Sequence, residues 1–214
     1  YKIETAACGL CFYQNGDAAY FTRRFDRDAA GNKWAQEDFA SLGGFTRANG
    51  GSDYKYVNSS YEECAALIDR YASAPAVEKL KFFKLVVFNY LFSNDDAHLK
   101  NFSLIDRGMN DYRLAPAYDL MNTAIHLAMP SIFALRKGLF KEGMKINDTS
   151  SINRTSFSEF GHRIGLPDKV VMKELDMFSQ ANAKANELIS QSGLSDSLKH
   201  FYQSTMKYRQ STLL

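Results

Sequence analysis

The sequence predicts an α+β fold, mostly helical, with a short β-hairpin near its N-terminal edge. Three observations lead there. Apolar residues recur at helical spacing from Ser60 through Phe92, and three further segments after Ser156 keep that spacing. The strong hairpin signal, Asn15-Gly16 between two apolar runs, stands near the start of the chain. With 214 residues, 45% hydrophobic and 23% charged, the chain is long enough and apolar enough to bury a sizeable core.

Taken in order, CGLCFY and AAYFTRRF flank Gln14-Asn15-Gly16-Asp17, so residues 8–25 are predicted to form a hairpin. Residues 28–59 are rich in Gly, Asn and Ser and read as surface or ligand-proximal loop, with a short helix over Gln36–Ser41. Ser60 caps a helix reaching about Tyr71, and Glu62 and Glu63 suit the dipole of its first turn. Pro75 marks a break, and a second helix runs from about Val77 to Phe92. It is apolar on nearly every side, which predicts a central, fully buried helix. Phe102–Ile105 and Tyr112–Leu114 read as a short hairpin around Arg107–Asn110, and Ala115–Asp119 leads into a turn or short helix. SIFALRKGLF, after Pro130, reads as a strand or extended loop. Helices are predicted over about Ser156–Ile164, Pro167–Ser190 and Ser195–Tyr208.

A net charge of +2 supplies no global field for nucleic acid or a membrane surface. Tyr1-Lys2-Ile3-Glu4 opens no apolar signal segment, and the apolar run Phe82–Phe92 carries Lys84 and Asn89 and is too short to span a bilayer. The expectation is a cytoplasmic protein without a membrane partner. Cys8 and Cys11 have CxxC spacing, but a zinc site needs four ligands, and only Cys64 and four scattered His remain. On a strand, i and i+3 point to opposite faces, so two small buried residues are expected there.

The chemistry concentrates in SNDDAHLKNFSLI, Ser93–Ile105, at the end of the buried helix. Asp96 and Asn101 stand five residues apart, and Asp119 follows the next hairpin. A loop carboxylate of this kind accepts a hydroxyl proton, while an amide oxygen and a second carboxylate hold Mg²⁺ against nucleotide phosphates. The spacing is that of protein-kinase catalytic loops. Spacing alone also fits an Asx-type turn that ends the helix and starts the strand.

DDAHLKNFSLI with YRLAPAYDLMN behind it resembles the HipA family of serine/threonine kinases, bacterial persistence and toxin–antitoxin proteins with a D-G-H-x-K-N-F-S core and a following P-x-Y-D segment. Asp96, His98, Lys100, Asn101, Phe102 and Ser103 fall in register, then Pro116, Tyr118 and Asp119; Ala97 replaces the usual Gly. Upstream, Thr22–Arg27 is similar to the family's E-R-F-D-R hinge, with Arg23 where Glu is usual, and Gln36-Glu37-Asp38 to its Q-E-D. The resemblance implies that Asp96 is the catalytic base and that Asn101 and Asp119 bind Mg²⁺ and the phosphates of ATP. It places His98 and Lys100 beside those phosphates, and the backbone of Arg23–Phe25 against adenine, with Phe25 near the base. Residue by residue, Phe25 also reads as core, His98 as a bond that holds the loop, Lys100 as a solvated cation, Asp119 as a helix cap, and Glu37 and Asp38 as first-turn helix charges.

By the same resemblance, residues 1–27 are the end of an N-lobe, hairpin and hinge, and residues 28–214 are a helical C-lobe carrying the catalytic loop. No glycine-rich phosphate loop occurs among the thirteen glycines. The N-lobe that supplies the loop and a phosphate-binding lysine would precede Tyr1, so these residues alone are expected to be slow or inactive. A trimmed kinase, a split system with a separate N-lobe polypeptide, and a degenerate product are the three accounts. The implied partners are a HipB-like helix-turn-helix antitoxin, through which alone DNA is reached, and a protein substrate, plausibly an aminoacyl-tRNA synthetase. The alternative is a non-catalytic lobe that docks on an antitoxin or a separate N-lobe. A small DNA-binding helical protein, from the helix-turn-helix look of SFSEFGHRIGLPDKVVMKEL, ranks below both because the segment's charges are mixed.

Overall fold

A computed structural model describes residues 1–57, 59–145 and 151–214. Strands β1 (Cys8–Phe12) and β2 (Ala18–Thr22) pair antiparallel, Cys8 opposite Thr22, around a turn in which Gly16 takes φ 87°. The hairpin stands off the core: Leu10, Phe12, Tyr20 and Phe21 are 56–69% exposed. Cys8 and Cys11 are therefore exposed free thiols, which corrects the expectation that they are buried.

A second sheet has the order β3 (Ala35–Asp38), β4 (Ser103–Asp106), β5 (Tyr112–Leu114), all antiparallel, with Gln36 opposite Ile105 and Leu104 opposite Leu114. The short helix expected over Gln36–Ser41 begins only at α1 (Phe39–Leu42). Residues 36–38 are strand because β4 claims their backbone, and Gln36 Nε2 donates to Ser103 Oγ at 2.9 Å. Asp38 ends the strand and caps α1, its Oδ1 accepting from Ser41 N at 2.9 Å. A single turn, α2 (Arg47–Gly50), follows.

The helix α3 (Tyr61–Tyr71) starts where Ser60 Oγ accepts from Glu63 N at 3.1 Å, and it buries Tyr61, Cys64, Ala65 and Ile68. The next helix, α4 (Pro75–Leu91), uses Pro75 in its first turn, where a missing N–H costs nothing. It is not buried along its whole length: Val77 is 55% exposed, while Phe82, Phe83 and Leu91 are fully enclosed. Phe39, Tyr61, Phe82 and Phe102 meet as an aromatic knot, with ring centroids 5.1–6.3 Å apart.

Among the described residues, four more helices follow: α5 (Arg154–Arg163), α6 (Asp168–Ser179), α7 (Ala183–Gln191) and α8 (Asp196–Ser211). The continuous helix expected to Ser190 divides because Asn182 Oδ1 accepts from Ala185 N at 3.0 Å, and Asn is favoured as such a cap. Gly161 lets α5 and α6 close on each other, since a Cβ there would meet Val171 Cγ2 at 2.5 Å. SIFALRKGLF forms no strand; it runs as bends and turns. Buried Arg209 on α8 donates to Tyr90 O, and Tyr90 OH bonds Thr212 Oγ1 at 2.8 Å, so α8 is fastened to the end of α4. No helix among the described residues is long and apolar enough to cross a membrane.

The N-terminal residues strap the two halves. Tyr1 stacks on Phe178 at 4.6 Å, and Ala117 N donates to Glu4 O at 2.7 Å. This strap delivers the hairpin beside residues 117–119.

Candidate active site

The end of α4 sets the loop. Ser93 turns the chain at φ 57°, and Asn94 N donates back to Asn89 O at 2.9 Å. Asn94 is buried and spends its whole amide on the site. Its Nδ2 donates to Asn89 Oδ1 at 3.0 Å and to Asp119 O at 3.2 Å, and its Oδ1 accepts from Asp96 N at 3.2 Å. Asp95 turns the other way. It is bonded to Thr123 Oγ1, and its Oδ2 accepts from Ser131 N at 2.7 Å, which ties the loop to the chain after Asp119. Tyr61 OH donates to Ala97 O at 2.9 Å. Ala97 is fully buried and is not among the residues at positive φ, so the position needs no glycine.

A 3-10 turn, Leu99–Asn101, is capped from both sides by its own side chains. His98 Nδ1 accepts from Lys100 N at 3.3 Å, and Asn101 Oδ1 accepts from His98 N at 3.3 Å. His98 thus carries its proton on Nε2, which stands 4.0 Å from Asp96 Oδ1. Burial and then the Lys55 cation hold the His98 pKa below its usual 6.5, against the pull of Asp96 and Asp119. Between its folded pKa and 6.5 the unfolded chain binds more protons there than the folded one, so this contribution to stability is lost as pH falls through that window. A plot of urea midpoint against pH should bend downward below about pH 6.5, and His98→Gln should flatten the bend.

The structure brings Asn101 and Asp119 into contact: Asn101 Nδ2 donates to Asp119 Oδ2 at 2.5 Å. Asp119 is held at φ 56°, an unusual conformation for a residue with a side chain and one found often at functional sites. The Asp119 carboxylate is a hard donor that suits Mg²⁺, which takes only one or two carboxylates; Asn101 turns its N–H to that carboxylate and its Oδ1 to His98 N, so it would offer oxygen to a metal only with its amide reversed. Asp96 keeps 40% of its side-chain surface open, and its Oδ1 accepts from Tyr56 OH at 2.7 Å. Tyr56 also lines a groove of about 890 Å³ with Asp53, Asp95, Ile132, Phe133 and Arg136.

Lys100 Nζ lies 2.5 Å from Asp38 Oδ2, and that bond raises its pKa. Phe25 stacks on Tyr118, centroids 5.5 Å apart, beside Asp119. Tyr118 in turn donates to Lys100 O at 2.8 Å, and burial pushes its pKa up to about 12. Arg23 continues the hairpin, its backbone N donating to Ala7 O at 2.7 Å, and its side chain is exposed. After β2, Arg24 grips the buried Asp26 with two bonds of 2.8 and 2.5 Å, which lowers the Asp26 pKa. Tyr56, Asn94 and Asp95 are the residues that spacing did not single out. Asn94 and Asp95 stand in the loop itself, whereas no sequence signal joins Tyr56 to a carboxylate forty positions on.

With this geometry in place, the comparisons are specific. The family model described as HipA-like C-terminal domain matches residues 1–186. A "Putative kinase" of Haemophilus influenzae is 30% identical over 193 residues, covering 81% of this chain and 54% of that protein. A "Putative kinase Y4mE" of Sinorhizobium fredii is 32% identical over 133 residues, covering 58% of this chain and 30% of that protein. Among solved structures, the Shewanella oneidensis toxin–antitoxin complex of HipA, HipB and operator DNA matches with TM-score 0.70 and 20% identity, over 98% of this chain and 51% of that chain. The Helicobacter pylori proinflammatory kinase CtkA matches with TM-score 0.60 and 18% identity, over 98% and 78%. The chain spans about half the length of the first relative and of the first structure.

Proposed function

We propose, from the premise that this chain belongs to the HipA-like C-terminal domain family, that it is the catalytic lobe of a kinase transferring the γ-phosphate of ATP to a serine or threonine of a protein. The observation that carries this reading is the contact of Asn101 with Asp119 at 2.5 Å, beside a histidine whose charge balance feels both Asp96 and Asp119. Asp96 takes the proton of the substrate hydroxyl while that oxygen forms its bond to the γ-phosphorus. The bond between the γ-phosphorus and the bridging oxygen breaks, and its electron pair leaves with ADP. Bound Mg²⁺ supplies neutralisation of the phosphate charge, and Asn101 and Asp119 are the residues that would hold it. Asn94 keeps the backbones of Asp96 and Asp119 at fixed separation by bonding to both.

Residues 1–27 form the end of an N-lobe and its hinge in this reading, and residues 28–214 form the C-lobe. The exposed apolar side chains of the hairpin support a docked N-lobe that would carry the phosphate loop and lysine. The reading also includes a helix-turn-helix antitoxin partner, supported by the likeness to a chain from a HipA, HipB and operator DNA complex. DNA would be reached through that partner, and the protein substrate would be of the aminoacyl-tRNA synthetase class. The site is tested by γ-phosphate transfer with the N-lobe supplied. Transfer should require Mg²⁺, and Asp119→Ala should weaken magnesium-dependent nucleotide binding at least tenfold in calorimetry, at about 1.4 kcal/mol per decade. Unchanged binding would remove Asp119 from the metal site.

A further inference from the structure

Tyr56 lies in the loop before α3 and is fixed at both ends of its neighbourhood. Leu99 N, in the catalytic loop, donates to Lys55 O at 3.1 Å, and Arg136 N, in the groove wall, donates to Tyr56 O at 3.0 Å. The ring meets His98 edge-on, centroids 5.0 Å apart. Burial, then the bond and charge of Asp96, raise the phenol pKa well above its ordinary value of 10, so the hydroxyl is a constant donor near neutral pH. Its bond to Asp96 Oδ1 is 2.7 Å long, a strong length for a hydroxyl on a carboxylate.

We propose that Tyr56 is a positioning residue: it fixes the rotamer of Asp96 by occupying Oδ1 and so leaves Oδ2 to the substrate hydroxyl. A carboxylate on a short side chain and 40% exposed has little else in its surroundings to choose one orientation. The Nε2–H of His98, at 4.0 Å, is too far to do so. One base oxygen is therefore held and the other is offered, and the held one faces a donor that does not titrate in the working range.

The inference rests on Asp96 being the base of the proposed reaction, and the test separates the two. Wild type, Tyr56→Phe and Asp96→Asn are compared in γ-phosphate transfer with the N-lobe supplied. Phe keeps the ring and its contact with His98 and removes only the hydroxyl. The expected result is a fall in kcat of roughly tenfold or more for Tyr56→Phe, within the range that general-base positioning supplies, with KM for ATP and the thermal midpoint unchanged. A purely structural role would move the midpoint and leave kcat. Equal kcat in wild type and Tyr56→Phe overturns the proposal while the kinase reading stands. A rise in kcat/KM for the protein substrate also overturns it, because Tyr56 would then compete for the base. Asp96→Asn as active as wild type overturns the kinase reading and the proposal together. Should Tyr56→Phe fail to fold, Tyr56→His, which returns a ring donor, gives the same discrimination: partial recovery of kcat supports positioning, and none overturns it.

Discussion

Asp96→Asn is expected to lower the rate of phosphate transfer by about 10²–10⁴-fold, the usual contribution of a positioned general base. That corresponds to roughly 3–5 kcal/mol of transition-state stabilisation at about 1.36 kcal/mol per decade. The substitution removes the proton acceptor and little else. Asn retains an oxygen that can accept from Tyr56, and the backbone bond from residue 96 to Asn94 Oδ1 is unaffected. Neither metal-site residue is touched, so nucleotide binding should stay within about twofold, well under the 1.4 kcal/mol that a tenfold change requires. The two readouts separate chemistry from binding: kcat in a transfer assay, and the dissociation constant of the magnesium nucleotide in calorimetry. Loss of both together would mean that Asp96 is structural.

Phe102→Ala is expected to have the largest effect on stability, about 3–5 kcal/mol, the range for aromatic truncation in a packed core. Phe102 is 2% exposed and touches three other aromatics, with centroids 5.1 Å from Phe82, 5.9 Å from Phe39 and 6.1 Å from Tyr61. Its neighbours reach the site. Asn101 precedes it, Tyr61 holds Ala97 O, and Phe39 N donates to Phe102 O at 3.0 Å. The cavity would therefore open beneath the catalytic loop and not at a distance from it. The urea midpoint reads the loss, and Phe102→Leu should recover most of it because the volume change is smaller.

The helices were legible because their causes are local. The Ser60 cap and the Pro75 start each act within four residues, whereas the Asn182 cap, equally local, was missed inside a long periodic stretch. The clustering of Asp96, His98 and Asn101 was also legible, since they lie in one short stretch of the chain. What escaped was set at long range. Gln36–Asp38 are strand because β4, more than sixty positions later, supplies the ladder. Cys8 and Cys11 are exposed because nothing in the described residues covers the hairpin, and alternation within a strand carries no information about which sheet it joins. The ion pair of Lys100 with Asp38 joins residues 62 positions apart, which no local pattern foretells. The Tyr56 bond to Asp96 joins two loops whose meeting depends on the whole packing of α3 against α4.

The bond from Arg209 to the carbonyl of Tyr90 also has a meaning in time. These partners are 119 residues apart, and Tyr90 closes the helix that presents Asp96. At synthesis rates of about 5–20 residues per second, the arginine follows the tyrosine out of the ribosome by roughly 6–24 s. During that interval the proton acceptor is already translated, but the helix beneath it lacks its clamp. The clamp cannot form until α8 has been made, so α4 spends that interval held by its earlier contacts.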